Sequence, residues 1–176
     1  MTTPIGQSGQ ILQEKHLAVE QGNNWNSSTH GQWYKMGADD AAAYDYSGYP
    51  YASFGTLGGS PCRYPCIDIQ PMYASSLIVV EYSTSFRNDS SAGYVRGRTF
   101  DLNANVRKSP NAHCMGGGYY VNTAAWNEIL FKDAFIAGTT NVMKLELQIY
   151  LASAGTTYFG WSGSDNRIMS VREVAV

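Results

Sequence analysis

The chain has 176 residues, a formal net charge of −2, 15% charged residues and 13% aromatic residues. That length suits one domain burying roughly 70% of the surface its unfolded form would expose, so neither a disulfide nor a metal is needed for folding. The 12 basic residues are dispersed, with Arg96, Arg98, Arg107 and Lys108 forming at most a loose cluster, and the longest apolar run, Leu77 to Val80, falls far short of the ~20 residues of a membrane span, so no nucleic-acid or membrane partner is expected.

Met1 to Gln10 lacks a basic start and an apolar stretch, so no secretory signal is expected, and the protein folds in a cytoplasm. Gly9 to Val19 is the first candidate strand. Ile11, Leu17 and Val19 share a parity that Gln13 and Lys15 break, which suits an edge strand or an extended arm contacting a neighbouring chain. From Gln21 to Pro61 the sequence is dominated by Gly, Asn, Ser, Ala and Tyr and predicts a long functional loop or contact surface.

Patterning resumes at Ile67 to Pro71 and in Leu77 to Phe86, where Ile78, Val80, Tyr82 and Phe86 point one way. Arg96 to Leu102 and Glu128 to Phe131 are further strand candidates, separated by a second long loop from Asn103 to Gly118. Met143 to Leu151 alternates with Met143, Leu145, Leu147, Ile149 and Leu151 on one face and Lys144, Glu146, Gln148 and Tyr150 on the other, which predicts a half-buried strand. Thr156 to Trp161 and Ile168 to Val176 follow, joined by the turn Ser162 to Asn166. The expected fold is an all-β sandwich of antiparallel strands. Residues 1–20 form an arm or edge strand, and residues 21–176 a single domain with long loops at 21–61 and 103–118.

Chemistry-bearing residues are sparse. Cys62, Cys66, His113 and Cys114 could be written as a four-ligand zinc site, but loose spacing and the adjacency of His113 and Cys114 favour free, buried or partly buried thiols, and no metal or other cofactor is expected. Asp39 and Asp40 are adjacent in a loop, and His16, His30 and His113 fall in separated segments without a nucleophile elbow, so no enzyme is expected. Gly116 to Gly118 lacks the Lys-Ser/Thr ending of a phosphate loop and suits a turn that lets Tyr119 and Tyr120 pack. Tyr44, Tyr46, Tyr49, Tyr51 and Phe54 are stiff, amphipathic side chains of the kind binding loops use. They suit a protein contact, a sugar platform, or a loop folded over its own sandwich; together with Ile11 and Leu12 they are the candidate partner-binding residues.

Three segments in chain order, Gly9 to Gln13, Ile67 to Pro71 leading into Ser75 to Val80, and Met169 to Ala175, resemble a domain family of tailed phages, common in those of cyanobacteria and marine bacteria. The resemblance implies a jelly-roll-like sandwich in a virion part, often a homotrimer. The function expected is a capsid decoration or cement protein that binds the major capsid protein, assembled in the host cytoplasm and residing in the virion. The alternative is a short tail or head fibre protein binding host glycans. The long Tyr-rich insertion between Gln13 and Ile67 and the loop from Asn103 to Gly118 depart from that family's pattern.

Overall fold

The computed structural model describes residues 8–19, 25–27, 32–35, 55–56, 67–88, 95–108, 127–151, 157–159 and 167–176. Its strands are β1 (Ile11–Val19), β2 (Trp25–Ser27), β3 (Gln32–Lys35), β4 (Gly55–Thr56), β5 (Ile67–Ile69), β6 (Leu77–Asn88), β7 (Val95–Asp101), β8 (Val106–Arg107), β9 (Asn127–Ile136), β10 (Met143–Leu151), β11 (Thr157–Phe159) and β12 (Arg167–Val174). All pairings are antiparallel.

The strands form two sheets. In the first, β6 lies between β12 and β9, and β1 pairs on the outer side of β12. Farther along β6, β11 takes the side that β12 occupies, followed by β2 and β4. In the second, β10 lies between β7 and a column shared by β5 and β3, with β8 beyond β7. The chain therefore alternates between sheets, and its first described strand pairs with its last.

The core follows from period-two alternation. Ile78, Val80 and Tyr82 of β6, Phe131 and Phe135 of β9, and Met169 and Val171 of β12 face Leu145, Leu147 and Ile149 of β10 and Ile67 and Ile69 of β5. Each such side chain contributes about 1.5–3 kcal/mol through burial. Gly97 of β7 lies so close to the Phe131 ring that a Cβ there would stand 2.5 Å from Cδ1.

Several expectations are corrected. β10 is not half-buried: Glu146 and Gln148, on its other face, are 1% and 0% exposed. They are linked laterally, Arg98 Nε donating to Gln148 Oε1 at 2.7 Å and Gln148 Nε2 donating to Glu146 Oε1 at 2.8 Å. A polar row linked in this way can be buried at tolerable cost, and alternation alone cannot reveal it. The stretch from Gln21 to Pro61 is not structureless, since β2, β3 and β4 fall within it and complete the sheet margins. The loop expected from Asn103 opens instead with a tight turn into β8, with Asn105 in the left-handed region at φ 53°. Finally, the alternation of β1 is not continuous from Ile11. Ile11 pairs with Val174 and Gln13 with the preceding Glu173, so Leu12 forms a bulge that reverses the alternation.

Candidate contact surfaces

Two buried carboxylates organise the loops at one end of the sandwich. Glu173 is fully buried on the inward face of β12, where its neighbours Met169 and Val171 are apolar. Its Oε1 accepts the backbone N–H groups of Met72 at 2.8 Å and Tyr73 at 3.2 Å, and its Oε2 accepts from Gln13 Nε2 at 2.5 Å. Burial alone would raise its pKa, but the Gln13 amide, the nearby Ser76 hydroxyl and the Tyr73 and Met72 N–H groups together hold it below the usual carboxylate range. Asp101 does the same work on the second sheet. Its Oδ1 accepts the N–H groups of Asn103, Ala104 and Lys144 at 3.1, 3.4 and 3.2 Å, and Lys108 Nζ stands 3.7 Å from Oδ2.

Backbone bonds complete the clamp. Ala137 N–H donates to Ser76 O, Gly138 N–H to Ala74 O, and Gly9 N–H to Ala175 O, while Asn103 Nδ2 donates to Val142 O. Gly138, at φ 71°, holds a conformation that L side chains rarely adopt. From these fixed loops Met72, Tyr73 and Val142 project with 55%, 38% and 44% of their surface exposed. A shallow depression of about 580 Å³, lined by Gln13, Gln70, Pro71, Met72 and Thr140, lies beside them.

The outer face of the first sheet is the second surface. One transverse row, Ile11–Val174–Leu77–Ile136, crosses four strands in register. Beside it runs a charge ladder: Lys132 Nζ is 2.7 Å from Glu81 Oε1, Arg172 Nη2 is 2.9 Å from Glu81 Oε2, and Arg172 Nε is 3.7 Å from Glu14 Oε1. The Lys132 hydrogen bond, with Arg172 close by, holds Glu81 below the usual carboxylate range against the opposing effect of partial burial. His16 Nε2 stands 3.4 Å from Glu14 Oε1 at the margin.

Of the expected partner-binding residues, Ile11 is half-exposed on this outer face and Leu12 is half-buried at the bulge. Tyr44, Tyr46, Tyr49, Tyr51 and Phe54 lie outside the described residues, as do Asp39, Asp40, His30, His113 and the cysteines Cys62, Cys66 and Cys114. Among the described residues no group of three or more His, Cys, Asp or Glu side chains could hold a metal ion, and no helix is long and apolar enough to cross a membrane. Sequence reasoning missed Glu173, Asp101, Gln13 and Lys15. The visible signal for Glu173 is an acid on the apolar parity of its strand, between Val171 and Ala175.

No protein-family model and no curated protein sequence matches the chain. Among solved structures, it is similar to that of the infectious bursal disease virus Gx strain, with a TM-score of 0.43 and 9% identity over 94% of this chain. It is also similar to the D431N mutant VP2 protein of infectious bursal disease virus in derived T=1 particles, with a TM-score of 0.46 and 10% identity over 96% of this chain. The chain spans 38% and 37% of the length of those two chains.

Proposed function

We propose that the protein is a non-enzymatic virion structural protein, a decoration or cement subunit docked on capsid shell protein through its loop end. The observation that carries this reading is the exposure of Met72, Tyr73 and Val142 on loops whose backbone is tied to the buried carboxylates of Glu173 and Asp101. A loop backbone already held in place loses little further entropy on docking, which favours its use as a contact surface. The charged groups beneath these loops are occupied in holding backbone. A subunit of this kind stabilises a shell by binding only its assembled state.

The sequence resemblance to tailed-phage virion domains supports the same reading. So does the strand order β1-β12-β6-β9 over β5-β10-β7-β8, an interleaved two-sheet arrangement that a jelly-roll-like sandwich would require, an architecture used in viral capsids and also in lectins and cupins.

The test is occupancy on particles. Met72→Ser with Tyr73→Ser should reduce occupancy at least tenfold while leaving the melting of the free subunit unchanged, because both side chains are exposed. Wild-type occupancy would overturn docking through this end. Replacing Tyr44, Tyr46, Tyr49 and Tyr51 by serine is the parallel test of the tyrosine stretch. A second reading, a fibre protein binding host glycans, is favoured by the depression lined by Gln13, Gln70 and Thr140, whose amides and hydroxyl suit sugar hydroxyls. Retention of host polysaccharide without cleavage would support it, and product release would instead indicate an enzyme.

A further inference from the structure

We propose that β9 is an edge strand built to stay unpaired, and that the Asp133 carboxylate is the group that keeps a second copy of this chain from adding to the sheet there. The strand has 10 residues and pairs with β6 in one unbroken register, from Asn127 opposite Phe86 to Ile136 opposite Leu77. Among the described residues no strand lies on its other side. It contains no proline, and Leu130 and Ile136 leave 59% and 53% of their surface exposed. A long, regular, apolar edge of this kind is a template on which another strand can form.

One bond fixes the direction of the free backbone groups. Ala137 N–H donates to Ser76 O, its partner in the continued register, so the groups of Phe131, Asp133 and Phe135 turn toward β6 and those of Leu130, Lys132, Ala134 and Ile136 turn away. Within that outward row the Ala134 N–H donates to Oδ1 of Asp133 at 2.9 Å. Asp133 is 6% exposed and stands on the inward parity between Phe131 and Phe135, where the alternation calls for an apolar side chain. A strand from a second copy, running antiparallel about a twofold axis, must pair outward groups with outward groups. Every such register that spans Ala134 needs an N–H that the carboxylate already holds. The register centred on Asp133 also sets two buried carboxylates opposite each other, and the register centred on Lys132 sets two ammonium groups opposite each other, both of which are destabilising. Asp133 thus guards the edge twice, by its charge and by the donor it occupies. The inference stands apart from attachment to a particle.

Sedimentation equilibrium of the purified full chain at micromolar concentrations tests it. Asp133→Val supplies the apolar side chain that the parity calls for and frees the Ala134 N–H, so the mass should rise to at least twice that of the wild type at the same concentration. Adding Ala134→Pro should restore the wild-type mass, since proline then removes only a donor that faces away from β6. Amide hydrogen exchange on the wild type needs no variant: Ala134 should be protected at least tenfold more than Lys132 and Ile136, whose N–H groups share its direction. A folded Asp133→Val protein that keeps the wild-type mass, a double variant that still self-associates, or an Ala134 amide no better protected than those of Lys132 and Ile136 would each overturn the proposal.

Discussion

At the scale of the residue, the most informative side chain is Glu173, an acid fully buried among apolar neighbours and met by donors at both oxygens. Glu173→Gln removes the charge and turns an N–H donor toward groups that already donate. It should destabilise the fold by about 1–3 kcal/mol, as measured by denaturant titration. Because the folded-state pKa is lowered, the carboxylate contributes stability above the ordinary glutamate value of about 4.3 and loses it as pH falls through the folded value. Glu81 acts in the same sense. Thermal melts of the wild type should therefore fall on acidification below about pH 4.3, and Glu173→Gln should flatten that dependence. Gly97→Ala is a different test: its methyl would meet the buried Phe131 ring, so a loss of about 1–3 kcal/mol is expected from overpacking.

At the scale of the element, β6 and β10 were legible because apolar alternation is a local signal, and Leu147 of β10 is 2% exposed as its parity predicts. Leu147→Asp should cost several kcal/mol in a melting experiment, an unpaired carboxylate replacing a packed side chain. The opposite face of β10 was not legible, since the burial of Glu146 and Gln148 depends on a partner, Arg98, that is distant in sequence. β1 was legible as an edge strand, but the partners of its polar side chains were not. Its polar residues Gln13 and Lys15 looked like those of an arm seeking a neighbour, yet they reach across the open side of the sandwich to the chain's own second sheet. Gln13 Nε2 donates to Gln70 O and Lys15 Nζ to Asp68 O, both at 2.6 Å. Deleting residues 1–18 should accordingly lower the stability of the subunit itself, because it bares β12 and leaves Glu173 without the Gln13 amide. A truncated chain that melts like the wild type would show that β1 is dispensable.

At the scale of the molecule, the two surfaces face different directions and differ in chemistry: apolar loop tips at one end, and a broad patterned sheet face at the side. Ile11 was legible as an apolar residue at the start of an edge strand, whereas the row it belongs to exists only through the registers of β1, β12, β6 and β9. The wiring also has a consequence for how the protein is made. β1 leaves the ribosome first among the described strands, but its hydrogen-bonding partner β12 is synthesised last. The nascent chain must carry an unpaired Ile11–Val19 segment through nearly the whole of translation, and the first sheet closes only after Val174 has emerged. Chains stalled before Arg167 should stay protease-sensitive along their length, and emergence of β12 should bring protection in a single late step.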